Sequence, residues 1–186
     1  MKSKNSAEAY TGQRGKEKRA LFGRFRLRAV EDLYRQKFFA MFGHRCFKCG
    51  AKERQNNEFG KPPILCLDHH LPMALGGHLV PGNLVALCRD CNNKKLDLPP
   101  EKFYTPIELE RLQPILLQQH EIFSFTFDGE AWRNNREAYL LSLGVDRGLV
   151  QEILFNPEHP DYVPPRSDME VTITIDLASL YANKDI

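Results

Sequence analysis

Two C-x2-C pairs constrain this chain more than anything else in it. Cys46 and Cys49 stand in "CFKCG", Cys88 and Cys91 stand in "CRDCN", and 38 residues separate the pairs. Two thiolates three positions apart on a tight turn can both reach one ion. Two such turns supply four sulfur ligands, which close a tetrahedral Zn²⁺ site and leave no open position. Gly50 follows the first pair directly, where a tight turn favours glycine. The four cysteines are therefore expected to hold a structural zinc, clamping a segment near residue 47 to one near residue 90. The segment between residues 46 and 91 is expected not to hold its shape without the ion. The ion is expected to supply much of that segment's folding free energy, on the order of 10 kcal/mol in small zinc domains. Two pairs of buried or redox thiols are the competing reading. The fifth cysteine, Cys66, lies in the apolar run "PILCLD" and reads as a core residue.

The chain has 186 residues and is 42% hydrophobic, enough for one domain with appendages or two small ones. The basic N-terminus is not followed by an apolar h-region, and no apolar run approaches the ~18 residues of a membrane span. The expectation is a soluble, cytoplasmic protein with no membrane partner. A net charge of +2 conceals an asymmetry: residues 1–28 carry +7, residues 29–100 carry +3 and residues 101–186 carry −8. A cationic arm on a mildly basic middle suits a polyanion such as nucleic acid, and the acidic last third does not.

Residues 1–19, polar and carrying Gly12 and Gly15, read as a disordered basic arm. Residues 20–43 read as one helix, because Phe22, Phe25, Ala29, Val30, Leu33 and Phe38 recur at helical spacing and Gly43 supplies a stop. A polar loop is expected over 51–62, a short strand over 62–68, and turns at Gly76-Gly77 and Pro81-Gly82. "NLVAL", 83–87, is a short apolar run into the second cysteine pair, and a helix is expected over 91–96, ended by Pro99-Pro100. Thr105, Pro106 and Glu108 form a capping box for a helix that Pro114 should kink or split. Helices are expected over 128–144 and over "DRGLVQEILF", and a strand over "MEVTITID", 169–176, where Val171, Ile173 and Ile175 alternate with polar residues. There is no internal repeat.

Between the cysteine pairs stands "LDHHLPMALGG", residues 67–77. Together with "GHRCFKCG" and "GNLVALCRDCNNKK", it makes residues 43–95 resemble an HNH nuclease domain of the zinc-knuckle type. The resemblance covers about fifty of the 186 residues. It implies an α+β fold: a small zinc-stapled ββα-metal core over 44–98, preceded by a helix and followed by an α-rich extension with one strand over 99–186. It further implies His69 as general base, Asp68 as a ligand of a catalytic divalent ion, Asn83 as the residue that holds the loop and orients the histidine, and Asn92 as the ligand completing the ion site from the helix.

Phosphodiester hydrolysis gives these assignments chemical sense. An imidazole near neutral pKa can take a proton from water, and a divalent ion can polarise the phosphate. A carboxylate and an amide oxygen suit Mg²⁺, Mn²⁺ or another divalent ion. In a regular strand Asp68 and His70 would share a face, so a strand running on past His69 would make Asp68 and His70 the working pair. His78 reads as a surface loop histidine. Arg89, Lys94 and Lys95 stand beside the site and are candidates to hold DNA phosphates. The resulting expectation is a metal-dependent endonuclease acting on DNA. A zinc-knuckle nucleic-acid-binding protein without catalysis is the alternative, and a degenerate nuclease fold that docks a partner is a third reading. Target, strand specificity and oligomeric state, a homodimer included, stay open.

Overall fold

The computed structural model describes residues 4–53 and 65–164. In chain order its helices are α1 (Lys4–Phe22), α2 (Arg28–Met41), α3 (Arg89–Lys95), α4 (Pro100–Phe103), α5 (Pro106–Ile122), α6 (Gly129–Asn134), α7 (Arg136–Leu143) and α8 (Arg147–Phe155), with strands β1 (Leu65–His69) and β2 (Leu84–Cys88) between α2 and α3. All five residues of β2 are buried, which is why its sequence is a continuous apolar run and does not alternate. β1 pairs with it antiparallel, Leu65 opposite Cys88 and His69 opposite Leu84. α3 leaves β2 at once and packs on both strands, while α5 packs on β2 and on α2. This ββα unit is the mixed α+β centre of the molecule, within a helix-rich whole.

Around it, the apolar face of α2 (Val30, Phe38 and Phe39) meets Leu112 and Leu116 of α5, and Phe25 and Phe123 join the same buried cluster. The first cysteine turn is tied to the sheet by its backbone, since Phe47 N donates to Ala86 O at 2.9 Å. It closes on itself through Gly50 N to Cys46 O at 2.8 Å, with Gly50 at φ +75° as the turn requires. The capping box of α5 forms as expected, and its Glu108 also accepts from Lys48 Nζ at 2.6 Å. That bond links the cysteine turn to the helix.

Several sequence expectations are corrected. The basic segment expected to be a disordered arm is helical over Lys4–Phe22, and Leu21 and Phe22 at the end of that helix are buried in the core. Nor is 20–43 one helix. A 3₁₀ turn at Gly23–Phe25 and a positive φ at Arg26 break it, and α2 begins only at Arg28. The start of α2 has no cap of its own; the Asp161 carboxylate accepts from Arg28 N and Ala29 N at 2.7 and 2.6 Å, from far along the chain. A carboxylate suits that place because it satisfies two orphan donors at the positive end of the helix. Pro114 does not split α5, which runs through it. Pro114 and Glu110, whose carbonyl loses its donor there, are both exposed, so water can serve instead. The expected helix over 128–144 is two helices, because Asn135 ends α6 and caps α7 by accepting from Ala138 N. The strand expected at 169–176 and most of the loop expected at 51–62 lie outside the described residues.

Candidate metal centre and active site

The two cysteine turns come together. The sulfurs of Cys46, Cys49, Cys88 and Cys91 all lie within 4.8 Å of one another, and Cys49 and Cys88 are 3.6 Å apart as free thiols. A tetrahedral zinc with ~2.3 Å bonds spaces its sulfurs at about 3.8 Å, so the cluster fits the ion. Cys91 N also donates to Cys88 Sγ at 3.5 Å, orienting one ligand of the second turn. Burial, together with the three neighbouring cysteines, pushes the Cys91 thiol strongly up. Four sulfurs this close ionise together only around a cation. Cys66 stays apart: its Sγ donates to Leu87 O at 3.1 Å, and burial pushes its thiol up to about 11.

Beside the cysteines, the end of β1 and the first turns of α3 bring Asp68, His69 and Asn92 together. Asp68 and His69 are both buried, 5% and 4% exposed, although they are neighbours on a strand. The strand ends at His69, and the ladder passes to Asn83. His70 N donates to Asn83 O, and then Leu71 N donates to the Asn83 side chain at 2.7 Å. His69 Nδ1 lies 3.8 Å from Asp68 Oδ1, whereas His70 stacks on the Tyr104 ring. Asn83 spans the loop that follows, donating to Leu71 O at 3.1 Å and to His78 O at 2.8 Å. Gly77 closes the same loop, where any Cβ would stand 1.8 Å from Leu71 O.

The Asn92 amide lies against Asp68, 2.9 and 3.3 Å from its two carboxylate oxygens. With the amide nitrogen turned inward, this is a hydrogen bond. With the oxygen turned inward, the spacing is that of adjacent oxygens around a hard octahedral cation with ~2.1 Å bonds. The donor set thus fits a divalent ion. On the same carboxylate, Lys95 Nζ donates to Asp68 Oδ2 at 2.9 Å. Burial alone would raise the Asp68 pKa. Its contacts with the His69 ring, the Lys95 ammonium and the His69 N–H outweigh that and hold it below the ordinary value, so the group is an anion at neutral pH.

Lys95 corrects a sequence expectation. It is 1% exposed and paired with Asp68, so its ammonium is not at the surface to meet a DNA phosphate. Arg89 and Lys94 are exposed. A groove of about 1030 Å³ along α1 and α2 carries Lys18, Arg19, Arg26, Arg28 and Arg35, with Glu31, Asp32 and Asp161 among them. A smaller groove shares Lys18 and Arg35 and extends to Leu79 and Arg89.

Sequence reasoning missed Glu17. From α1, its Oε1 accepts from His78 Nδ1 at 2.7 Å and from Gln13 at 3.1 Å, and its Oε2 accepts from Leu79 N at 2.9 Å. Oε2 also lies 3.5 Å from His69 Nε2, which is buried without a hydrogen bond. Burial alone would raise the Glu17 pKa, but the His78, Leu79, Gln13 and His69 contacts bring it down to about 2. Its one signal in the sequence is a lone carboxylate inside "GKEKR".

Comparison with known families places a match on this region. The family model described as HNH endonuclease matches residues 46–105, which contain both cysteine turns, β1, β2, α3 and α4. No curated protein and no solved structure matches the chain. The match indicates a nuclease-type function on nucleic acid. No helix among the described residues is long and apolar enough to cross a membrane.

Proposed function

We propose that the chain is a metal-dependent endonuclease that hydrolyses DNA phosphodiester bonds, with His69 as the general base and Asp68 and Asn92 as ligands of one divalent ion. The observation that carries this reading is the meeting of Asp68, His69 and Asn92 at the junction of β1 and α3, inside the matched segment. His69 Nε2 makes no hydrogen bond of its own, and it is the ring atom that would take a proton from water once the Glu17 carboxylate, 3.5 Å away, moves aside. The Asp68 anion lies on the other side of the ring, 3.8 Å from Nδ1. It favours the imidazolium that forms once the proton is taken. Asn83 fixes the loop on which this geometry depends. A divalent ion held by Asp68 and Asn92 would polarise the phosphate and stabilise the departing oxygen. The zinc held by Cys46, Cys49, Cys88 and Cys91 takes no part in the chemistry; it joins the β1–β2–α3 unit to the turn before it. The smaller groove, which runs from Lys18 and Arg35 past Leu67 and Leu79 to Arg89, supports a polyanionic substrate, with Arg89 and the exposed Lys94 as phosphate contacts.

The test is plasmid cleavage by the full chain and by His69→Ala, each with EDTA, Mg²⁺, Mn²⁺ or Ni²⁺, with bound zinc measured on both. Metal-dependent nicking or linearisation, lost in a variant that still holds one zinc, is the expected result. A wild type that holds zinc and shifts DNA in a gel but cuts with none of the ions would replace the enzyme with a zinc-knuckle binding protein.

A further inference from the structure

A second carboxylate, the half-buried Glu17, stands at the base on the Nε2 side of the His69 ring. Its two oxygens collect hydrogen bonds from His78 Nδ1, Gln13 and the Leu79 N–H, and approach His69 Nε2. Three of those four groups belong to the catalytic loop or the base, and only Gln13 is local to α1. The His78 ring N–H and the Leu79 backbone N–H converging on one anion also suit the oxygens of a phosphate. The loop supplying them is fixed without Glu17, because Asn83 holds Leu71 and His78, and Gly77 packs under Leu71 O. The site is thus preformed for an oxyanion.

We propose that His78 Nδ1 and the Leu79 N–H form a binding subsite, next to His69, for a phosphodiester oxygen of the substrate backbone, and that Glu17 of α1 fills it in the free chain as an internal phosphate mimic. The inference rests on the nuclease reading of Asp68 and His69. It explains why the base is 4% exposed: substrate reaches His69 only when Glu17 leaves. The chain around Glu17 is suited to that exchange. Lys16, Lys18 and Arg19 are exposed on either side of it, so α1 offers cations to solution while its carboxylate faces the site. Leu21 and Phe22 anchor the C-terminal end of the helix in the core. Tilting α1 about that end removes Glu17 and keeps the cations near the incoming strand. Substrate binding and exposure of the base are then one event.

The test uses the full zinc-loaded chain and a labelled 20-base-pair duplex, with binding read by fluorescence anisotropy without a catalytic ion and cleavage read with one. Glu17→Gln removes the internal anion and keeps the side-chain shape. It is expected to bind DNA at least about tenfold tighter, because a like charge at the phosphate position is lost, and to cut faster. Adding His78→Ala to Glu17→Gln should abolish the gain. Hydrogen exchange on the wild type needs no substitution: duplex DNA, and inorganic phosphate at high concentration, should speed exchange across residues 13–19 and leave α5 unchanged. Unchanged DNA affinity in Glu17→Gln, or slower cutting at unchanged affinity, would overturn the proposal; the second result would make Glu17 a positioning residue for His69. The two readings fail separately. A wild type that cuts, with a variant that binds no better, sinks the subsite alone. No cutting by any form, with tighter binding by Glu17→Gln that His78→Ala reverses, sinks the nuclease and keeps the subsite.

Discussion

Gln119 on α5 holds the loop that carries Asn83, and replacing it should unsettle both the fold and the site. The side chain is fully buried. Its Oε1 accepts from Gly82 N at 2.9 Å and from Leu84 N at 3.2 Å, and its Nε2 donates to Leu84 O at 2.6 Å. By serving both the N–H and the C=O of Leu84, one side-chain amide stands in for a neighbouring strand on the far side of β2. Gln119→Leu leaves two backbone donors and an acceptor without it. At ~1–2 kcal/mol for each group, less ~1–2 kcal/mol returned by burying the leucine, the net loss is ~2–4 kcal/mol. For a chain of this size that lowers Tm by roughly 5–15 °C. Urea unfolding of zinc-saturated protein, followed by circular dichroism, measures it. Asn83 lies between the two residues that Gln119 holds, so cleavage should fall with stability even well below Tm. A loss under ~1 kcal/mol with cleavage unchanged would refute the claim that α5 positions this loop.

Four other outcomes follow from the geometry. Each chain should carry one zinc. Stripping it should expose residues 46–95 to protease, with Cys88→Ser costing more zinc affinity than Cys49→Ser, because Cys88 is buried and accepts from Cys91 N while Cys49 is exposed; an equal loss from Cys66→Ser would discredit the four-cysteine site. Gly77→Ala drives a Cβ into Leu71 O and should cost at least ~2 kcal/mol in chemical denaturation, against ~1–2 kcal/mol for Gly76→Ala, where the penalty is only the positive φ. Asp161→Ala removes the acceptor for two N–H groups at the start of α2 and should cost ~1–2 kcal/mol, read by thermal unfolding. Lys95→Met leaves the Asp68 charge buried without its ammonium and should cost ~3–5 kcal/mol, whereas Lys94→Ala should leave stability intact and lower the salt dependence of DNA binding by about one ion.

The parts of this molecule legible in its sequence are those fixed by short-range rules. The cysteine spacing brought four sulfurs to one point. Thr105 and Glu108 made their capping box because both partners lie within one turn, and the uninterrupted apolar run at residues 84–88 became a strand buried on all its positions. The errors arose where a distant residue completes a local element. α2 starts at Arg28 because Asp161 caps it from outside, and nothing within a helical window signals that. Pro114 is harmless because its side of α5 faces water, which depends on how the helix packs.

The sequence misled most over charge, and for one reason. Lys95 and Glu17 each stand in a charged cluster, "NNKKL" and "GKEKR", and clusters of that kind ordinarily face solvent. Folding picks one member out of each and turns it inward, Lys95 onto Asp68 and Glu17 onto His78, Leu79 and His69. Their neighbours, Lys94 in one cluster and Lys16 and Lys18 in the other, stay exposed. Burying a lone charge is too costly unless a partner meets it, so each inward charge marks a place where the site already presents the opposite sign. At Lys95 that place is the Asp68 anion, which also suits a divalent cation. At Glu17 it is a set of donors, which also suits a phosphate. On the proposed reading, the buried Lys95 and the half-buried Glu17 mark the cation and phosphate positions of a phosphodiester hydrolase.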